Sequence, residues 1–279
     1  MDRSMNFSGH GLCAVYDKIG KVKQSSECEP LPSSVKKNDW ERLINLSMIV
    51  STHQPIFLPW PGFFFKSMKS DCMVLLDDVQ YPRGRGWMNR NRLKCAGGEL
   101  WLTVPVYRKN RGLQRIQDVT ICNDTRWVMK HLRAIQQSYA HAPYIDSIFQ
   151  AVEKVYSKAH TKILSLNLDL IHALHDALDL KNHIRLQSKI GANGNGTDLI
   201  VDVCKRLGAD TYLAFRPAEK YLDAQKLKRG GVRVVYEPFY PPVYPQLWGD
   251  FLYNLSALDL ALSCGPKSAQ IIESCAQCR

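Results

Sequence analysis

The chain has 279 residues, 45% of them hydrophobic and 23% charged, which is typical of a globular protein large enough to bury a substantial core. No stretch approaches the roughly 18 apolar residues that a membrane span needs, and no secretory signal pattern opens the chain, so we expect a cytoplasmic protein. Nine cysteines, with no second CxxC to match Cys275 and Cys278, favour reduced thiols and no metal site.

The net charge of +11 is unevenly distributed. Residues 1–47 hold seven Lys/Arg and six Asp/Glu, whereas residues 81–115 hold nine basic residues and one acid, Glu99. Such a patch favours an anionic partner: a phosphorylated small molecule, nucleic acid or an anionic lipid surface. A solvated, charged strand pair is the alternative interpretation.

Residues 1–47 mix Gly, Ser, Pro and Lys with little periodicity, which predicts a poorly ordered N-terminal extension. From Met48 onward strands and helices alternate, which predicts one α/β domain over residues 48–279. We expect a three-layer sandwich with a mostly parallel sheet, a β-hairpin insertion and a helical segment in the middle of the chain. The predicted strands cover 48–52, 72–76, 116–122, 184–187, 211–214 and 232–236, with a hairpin over 87–95 and 100–107. The predicted helices cover 62–69, 127–139, 144–156, 162–178, 197–207 (with Thr197 as N-cap) and 255–263.

The first candidate site follows the first predicted strand, at His53 and Gln54. A turn bounded by three prolines, Pro55, Pro59 and Pro61, comes next and contains Trp60. Ligands of open α/β sheets bind at the carboxyl ends of strands, so these side chains are placed to contact a substrate. The alternative is a rigid turn whose aromatic residues only pack the core.

Two acids, Asp77 and Asp78, end the next apolar strand and form the second candidate. A carboxylate there suits a metal–phosphate, a sugar hydroxyl or the role of general base. Because consecutive strand residues face opposite sides, we expect one of the two acids to be functional, and the sequence leaves open which one.

The hairpin is the third candidate. Asn89 and Asn91 are predicted on one face, with Arg90, Arg92 and Lys94 on the other. The basic face is an anion clamp if it looks into a cleft, and aids only solubility if it looks outward.

The glycine-rich loop over residues 191–197 matches neither the Walker pattern nor the dinucleotide fingerprint. We interpret it as a flexible loop that leads into a helix N-cap. The helical histidines His172 and His175 are more typical of surface or core groups than of catalysts.

Together these motifs resemble the WbqC-like family. The resemblance extends from about Ile49 to about Ile272 and is carried by residues 53–63, 75–81, 89–94, 101–106, 204–213 and 255–259. The family is tied to O-antigen (lipopolysaccharide) gene clusters, and the resemblance implies a transferase that attaches an amino acid, such as glycine, to an amino sugar. It implies His53, Asp78 and His131 as catalytic candidates. It also implies a set of substrate-binding residues: Gln54, Trp60, Asp77, Asn89, Arg90, Arg92, Tyr144, Lys220, Tyr221 and Gln246.

The chain departs from the family pattern over residues 214–220, where a glycine-containing stretch is usual. Phe215 and Arg216 stand there, and they favour an altered substrate choice or lost activity. The expected partner is an anionic small molecule, a nucleotide-linked or lipid-linked amino sugar, with ATP as an open alternative and no metal. Two other functions remain open: a nucleotidyltransferase-like enzyme, although the second His of its HxGH signature is absent, and a less favoured nucleic-acid binder that uses Trp87 and Trp101.

Overall fold

The computed structural model describes residues 15–16, 22–23, 47–84 and 86–275. The chain divides into two compact units, Met1–Leu46 and Ser47–Arg279. In the first unit the described residues form two short antiparallel strands, β1 (Val15–Tyr16) and β2 (Val22–Lys23). The predicted extension over residues 1–47 otherwise lies outside the described residues, apart from Ser47.

The second unit is built on a five-stranded sheet and a separate hairpin. The sheet strands are β3 (Ile49–His53), β4 (Cys72–Leu75), β7 (His183–Leu186), β8 (Thr211–Phe215) and β9 (Arg233–Glu237), and the hairpin strands are β5 (Arg90–Cys95) and β6 (Gly98–Thr103). Every strand pair in the sheet is parallel, and the hairpin is antiparallel. The predicted mostly parallel sheet with a hairpin insertion is confirmed.

Helices lie on both faces of the sheet. They are α1 (Pro61–Met68), α2 (Trp127–Ser138), α3 (Ile145–Tyr156), α4 (Ile163–Ala177), α5 (Gln187–Ile190), α6 (Gly196–Leu207), α7 (Ala224–Arg229), α8 (Ala257–Cys264) and α9 (Ser268–Ser274). Strand β4 shows why there are two helical layers. Met73 and Leu75 join a core with α1 to α4, α8 and α9, whereas Cys72 and Val74 join a second core with α6 and α7. Alternate residues of one strand thus bury against opposite layers, and the three-layer sandwich is confirmed.

The order of strands across the sheet is β7-β4-β3-β8-β9. Counting only the sheet strands along the chain, this order is 3-2-1-4-5, as in doubly wound folds. The order reverses between β3 and β8, which are direct neighbours. In such sheets ligands bind outside the carboxyl ends of the strands at this reversal. The last residue of β3 is His53, so the fold places this histidine at that position.

Two predicted features are wrong. Residues 116–122 are not a strand but a 3-10 turn (Ile116–Asp118) followed by isolated bridges at Thr120 and Ile121. Their backbone groups bond to separate segments, with Ile116 N donating to Val79 O and Ile121 N to Thr161 O, so no single neighbouring strand pairs with them. Thr197 is not the N-cap of α6.

Helix α6 begins at Gly196, with Asn195 as its N-cap. The Thr197 hydroxyl instead accepts a 3.0 Å hydrogen bond from Asp223 N, at the start of α7. Helix α8 begins two residues later than predicted, because the Ser256 hydroxyl caps it by accepting from Leu258 N at 3.1 Å. Within the described residues, none of the helices combines the length and apolar character needed to cross a membrane.

Candidate functional site

A cavity of about 580 Å³ lies at the carboxyl end of β3. Its wall combines the turn after β3 with the approach to the hairpin, and it is lined by His53, Gln54, Ile56, Trp60, Pro82, Gly86, Trp87, Asn91, Arg92 and Asn254. Four of the predicted site residues, His53, Gln54, Trp60 and Arg92, therefore share one cavity. We refer to it as the β3 cavity.

The turn that forms one wall of this cavity is held by buried side-chain amides. Asn91 Nδ2 donates to Phe57 O at 3.2 Å and to Leu58 O at 2.7 Å. Asn167 Nδ2, from α4, donates to Pro55 O at 2.7 Å. These donors satisfy carbonyl groups that would otherwise be buried without partners, and the turn has a residue at positive φ, Leu58 (φ +42°). The turn is thereby fixed to the hairpin and to α4.

The imidazole of His53 has a defined tautomer. Its Nδ1 lies 2.8 Å from Gln54 O, and because a carbonyl oxygen only accepts, Nδ1 carries the proton. The Nε2 lone pair has no protein partner in the described part of the chain. Burial lowers the pKa of His53 to about 4, the charge of Lys66 contributes in the same direction, and the hydrogen bond to Gln54 opposes both. At neutral pH the ring is therefore uncharged, with Nε2 as an acceptor.

Lys66 of α1 is a residue that the sequence analysis missed. Its ammonium is buried, donates to Thr52 O at 2.8 Å and lies 5.3 Å from the centroid of the Phe215 ring. No described carboxylate lies within 4 Å of it, and burial lowers its pKa to about 8. The sequence signal was present, since Lys66 follows Phe63 by three residues on an otherwise apolar helix.

The basic face of the hairpin does not act as a unit. Arg92 lines the β3 cavity, pairs with Glu99 and donates to Tyr253 O at 3.0 Å. Its Nε is buried and has no hydrogen-bond partner among the described residues. Lys94, by contrast, is buried, and its Nζ lies 3.1 Å from Gln246 Oε1. Lys94 is therefore buried against Gln246, unlike Arg92, so the basic residues of the hairpin do not form one exposed patch.

Arg90 lies outside the cavity lining. Its guanidinium carbon is 3.9 Å from the centroid of the Trp101 ring. Trp101 in turn stacks on Trp87 at 5.8 Å between centroids and 20° between planes. Of these three stacked residues, Trp87 is the one that lines the β3 cavity, and its side chain is 47% exposed.

The two acids lie beyond the end of β4, at Leu75, and they face different environments. Asp77 is buried and accepts from Ser188 N at 2.9 Å and Ser188 Oγ at 2.5 Å, so it caps the short helix α5. Asp78 accepts from Arg115 at 2.7 Å and lines a second cavity. Neither acid is among the residues that line the β3 cavity.

His131 is a core residue. It is 5% exposed, and its ring nitrogens lie 3.1 Å from Tyr156 Oη and 3.2 Å from Thr103 O. Burial lowers its pKa to about 4, against the effect of the Thr103 hydrogen bond. Its ring packs against Phe57 and Trp127. The structure gives it a packing role and does not bring it to the cavity wall.

The other predicted substrate-binding residues also lie outside the lining of the β3 cavity. Asn89 bonds Tyr81 and Val104 O, and Gln246 bonds the backbone of Leu252. Tyr144 packs over Gly265, where an added Cβ would lie 2.4 Å from its ring. Lys220 and Tyr221 are exposed beyond β8. The sequence analysis missed Asn254 in the lining and Lys66 beside it. It named Asn91 and Trp87, which also line the cavity, only as a hairpin residue and as a possible nucleic-acid contact.

Within residues 47–84 and 86–275, no three His, Cys, Asp or Glu side chains come together in a way that would hold a metal ion. Cys278 of the CxxC pair lies outside the described residues.

Comparison with known proteins gives two matches. The model of the WbqC-like protein family matches residues 54–271. "Uncharacterized protein Rv1507c" of Mycobacterium tuberculosis (strain ATCC 25618 / H37Rv) is 29% identical over 231 residues, which cover 82% of this chain and 99% of that protein. No solved structure matches the chain significantly.

Proposed function

Because the chain belongs to the WbqC-like protein family, we propose that it is a transferase of surface-polysaccharide (O-antigen) biosynthesis. In this proposal the enzyme joins an amino acid, such as glycine, to the amine of a sugar that is carried on a diphosphate. The supporting observation is the cavity of about 580 Å³ that both His53 and Arg92 line. One residue offers a neutral proton acceptor. The other offers a guanidinium whose carboxylate partner, Glu99, is not among the lining residues.

The position of the cavity supports a substrate of this class. It lies at the carboxyl end of β3, next to β8, where the strand order reverses. Nucleotides and related phosphorylated ligands bind at such reversals in doubly wound sheets. A volume of this size suits a small organic ligand, and the lining combines apolar and aromatic residues with a few polar side chains.

Amide formation requires one proton transfer that His53 is placed to serve. The amine nitrogen of the sugar attacks the carbonyl carbon of an activated amino acid, a C–N bond forms, and the leaving group departs. The amine must lose a proton, and Nε2 of His53 holds a free lone pair because Nδ1 is engaged with Gln54 O. His53 is thus the general base of the proposed step.

A bound diphosphate also strengthens that base. With a pKa of about 4, His53 alone is a weak proton acceptor, since a general base works best when its pKa lies near the working pH. Negative charge beside the imidazole raises its pKa, because it stabilises the protonated form and offsets the charge of Lys66. Arg92, with its unpartnered Nε, is the residue that holds the phosphate in this arrangement.

A second candidate function is a nucleotidyltransferase-like enzyme. The 3-2-1-4-5 strand order and the placement of His53 at the end of the first sheet strand support it. Such an enzyme forms a phosphoanhydride between a nucleoside monophosphate unit and a sugar phosphate, and releases pyrophosphate from the nucleoside triphosphate. Activation of glycine as an adenylate also releases pyrophosphate from ATP, so the two candidates are separated by pyrophosphate release that requires a sugar phosphate.

The direct test is an activity assay on the full chain with His53→Gln as its variant. Mass spectrometry would follow a uridine-diphosphate-linked 2-amino sugar supplied with glycine, ATP and acyl-activated glycine. We expect the product to gain the mass of one glycyl residue, and the rate to fall by about 10²-fold or more in the variant. An unchanged rate in His53→Gln, or pyrophosphate release from a triphosphate and sugar phosphate, would overturn the transferase proposal.

A further inference from the structure

A second cavity, of about 310 Å³, lies beside the glycine-rich loop that opens α6. It is lined by Asp78, Val79, Gln80, Leu113, Gln114, Arg115, Gln187, Asn193, Gly194 and Asn195. These residues come from the segment after β4, the segment before the 3-10 turn, the start of α5 and the loop before α6. The transferase step proposed above uses none of them.

The charges in this cavity cancel. Asp78 and Arg115 are the only charged side chains in the lining, and they form an ion pair at 2.7 Å. Asp78 also accepts a hydrogen bond of 2.5 Å from Gln117 Nε2. Because the carboxylate of Asp78 is neutralised by Arg115, the lining has little net charge with which to attract a charged ligand. The cavity therefore favours a ligand without net charge.

Carboxamides dominate the polar groups of the lining. They belong to Gln80, Gln114, Gln187, Asn193 and Asn195. Each carboxamide both donates and accepts hydrogen bonds, as does each hydroxyl group of a sugar. Such a lining matches a ligand that carries several hydroxyl groups.

Two of these carboxamides, Gln187 and Asn195, can form further hydrogen bonds. Gln187 is 3% exposed, and its Nε2 donates to Ala192 O at 3.1 Å, yet its buried Oε1 has no partner among the described residues. An unpartnered buried acceptor is costly, and a ligand hydroxyl is the kind of donor that it lacks. The side chain of Asn195 forms no capping bond to α6.

Two apolar residues complete the lining. They are Leu113, which is 63% exposed, and Val79. Burial of the C–H face of a sugar ring against these apolar side chains is favourable. We propose that this second cavity binds a neutral monosaccharide unit. The proposal rests on the groups of this cavity alone and is independent of the proposed function.

The test is ligand-observed NMR on the full chain, by saturation transfer to glucose, N-acetylglucosamine and N-acetylgalactosamine at millimolar concentration. The blocking variant is Asn195→Leu, which fills the cavity without removing a side-chain hydrogen bond of the fold. The matched control is Asn254→Leu, which places the same bulk in the β3 cavity. A second variant, Asp78→Asn, keeps the shape and breaks the charge balance.

We expect at least one of these sugars to receive saturation from the wild-type chain. Asn195→Leu should raise its apparent Kd about fivefold or more, as the loss of one or more hydrogen bonds implies, while Asn254→Leu leaves it unchanged. Asp78→Asn should weaken the same binding while the chain stays folded. A signal lost in Asn254→Leu but kept in Asn195→Leu would place the sugar in the β3 cavity and overturn the proposal. No signal from any of the three sugars would also overturn it.

Discussion

The indole of Trp60 lies so closely over the backbone of Gly62 that a Cβ built on Gly62 would be 2.4 Å from the ring. Trp60 lines the β3 cavity and packs edge-to-face on Phe239 at 5.0 Å between centroids. Gly62 is the second residue of α1. The glycine therefore lets the tryptophan fold back over the start of its own helix, and this contact shapes the cavity.

Replacing Gly62 by Ala should displace the Trp60 ring, because the added methyl group cannot fit beneath it. We expect Gly62→Ala to lower the free energy of unfolding by about 1–3 kcal/mol, the usual cost of overpacking, and to weaken ligand binding in the cavity. Urea denaturation would measure the first effect. The matched control is Gly97→Ala in the hairpin turn, where the nearest atom to an added Cβ is Cys95 Sγ at 4.0 Å. Equal stability of the two variants would contradict this description of the turn.

The charge of Lys66 should be detectable in the titration of His53. A positive charge nearby disfavours the protonated imidazole, so removing it with Lys66→Met should raise the pKa of His53 above its value of about 4. NMR of the imidazole resonances as a function of pH would measure the shift. Lys69→Met is the control, because Lys69 lies on the same helix turn but over the Phe65 ring, and it is not among the groups that lower the pKa of His53. A pKa of His53 that is the same in both variants would show that Lys66 does not act on it.

His131 should make the stability of the protein depend on pH. Its pKa is about 4 in the folded chain and 6.5 ordinarily, so between these values the unfolded state binds more protons. Stability contributed by the neutral ring is therefore fully present above pH 6.5 and is lost as the pH falls toward 4. The free energy of unfolding should fall by about 3 kcal/mol, because the folded and ordinary pKa values of His131 differ by about 2.5 units and each unit corresponds to about 1.36 kcal/mol.

The measurement is the free energy of unfolding of the wild type and of His131→Gln from pH 7 to pH 4. The variant retains a donor and an acceptor at this position but does not titrate, so its stability should fall less over this range. Parallel curves for the two proteins would contradict the assignment of a buried, neutral His131.

Much of the fold follows from local sequence patterns. The strands β3 and β4 are short apolar runs, the hairpin surrounds Gly97 and Gly98, and the longer helices show clear apolar stripes, so each was predicted to within a few residues. The helices α5, α7 and α9 were missed because four to seven residues are too few to show a helical period. The order of the strands depends on contacts between distant segments, such as β3 with β8, and no local pattern encodes it.

The site was predictable only where position in the fold decides it. His53, Gln54 and Trp60 follow the end of a strand, and that rule was enough to place them in the cavity. The roles of Asp77 and Asp78 were not predictable, because they depend on whether Ser188 of α5 or Arg115 comes near. Likewise, the burial of Lys94 was not predictable, because it depends on a contact with Gln246 in a distant loop.

We propose that the β3 cavity binds the diphosphate of a diphosphate-linked amino sugar through Arg92. Isothermal titration calorimetry of the full chain with a uridine-diphosphate-linked 2-amino sugar tests it most directly, with Arg92→Gln as the variant and the exposed Arg111→Gln as the control. We expect saturable binding that weakens by about tenfold or more in Arg92→Gln and is unchanged in Arg111→Gln, since a charge-assisted phosphate contact is lost only in the first. No binding by the wild type, or equal affinity in the wild type and Arg92→Gln, would contradict it.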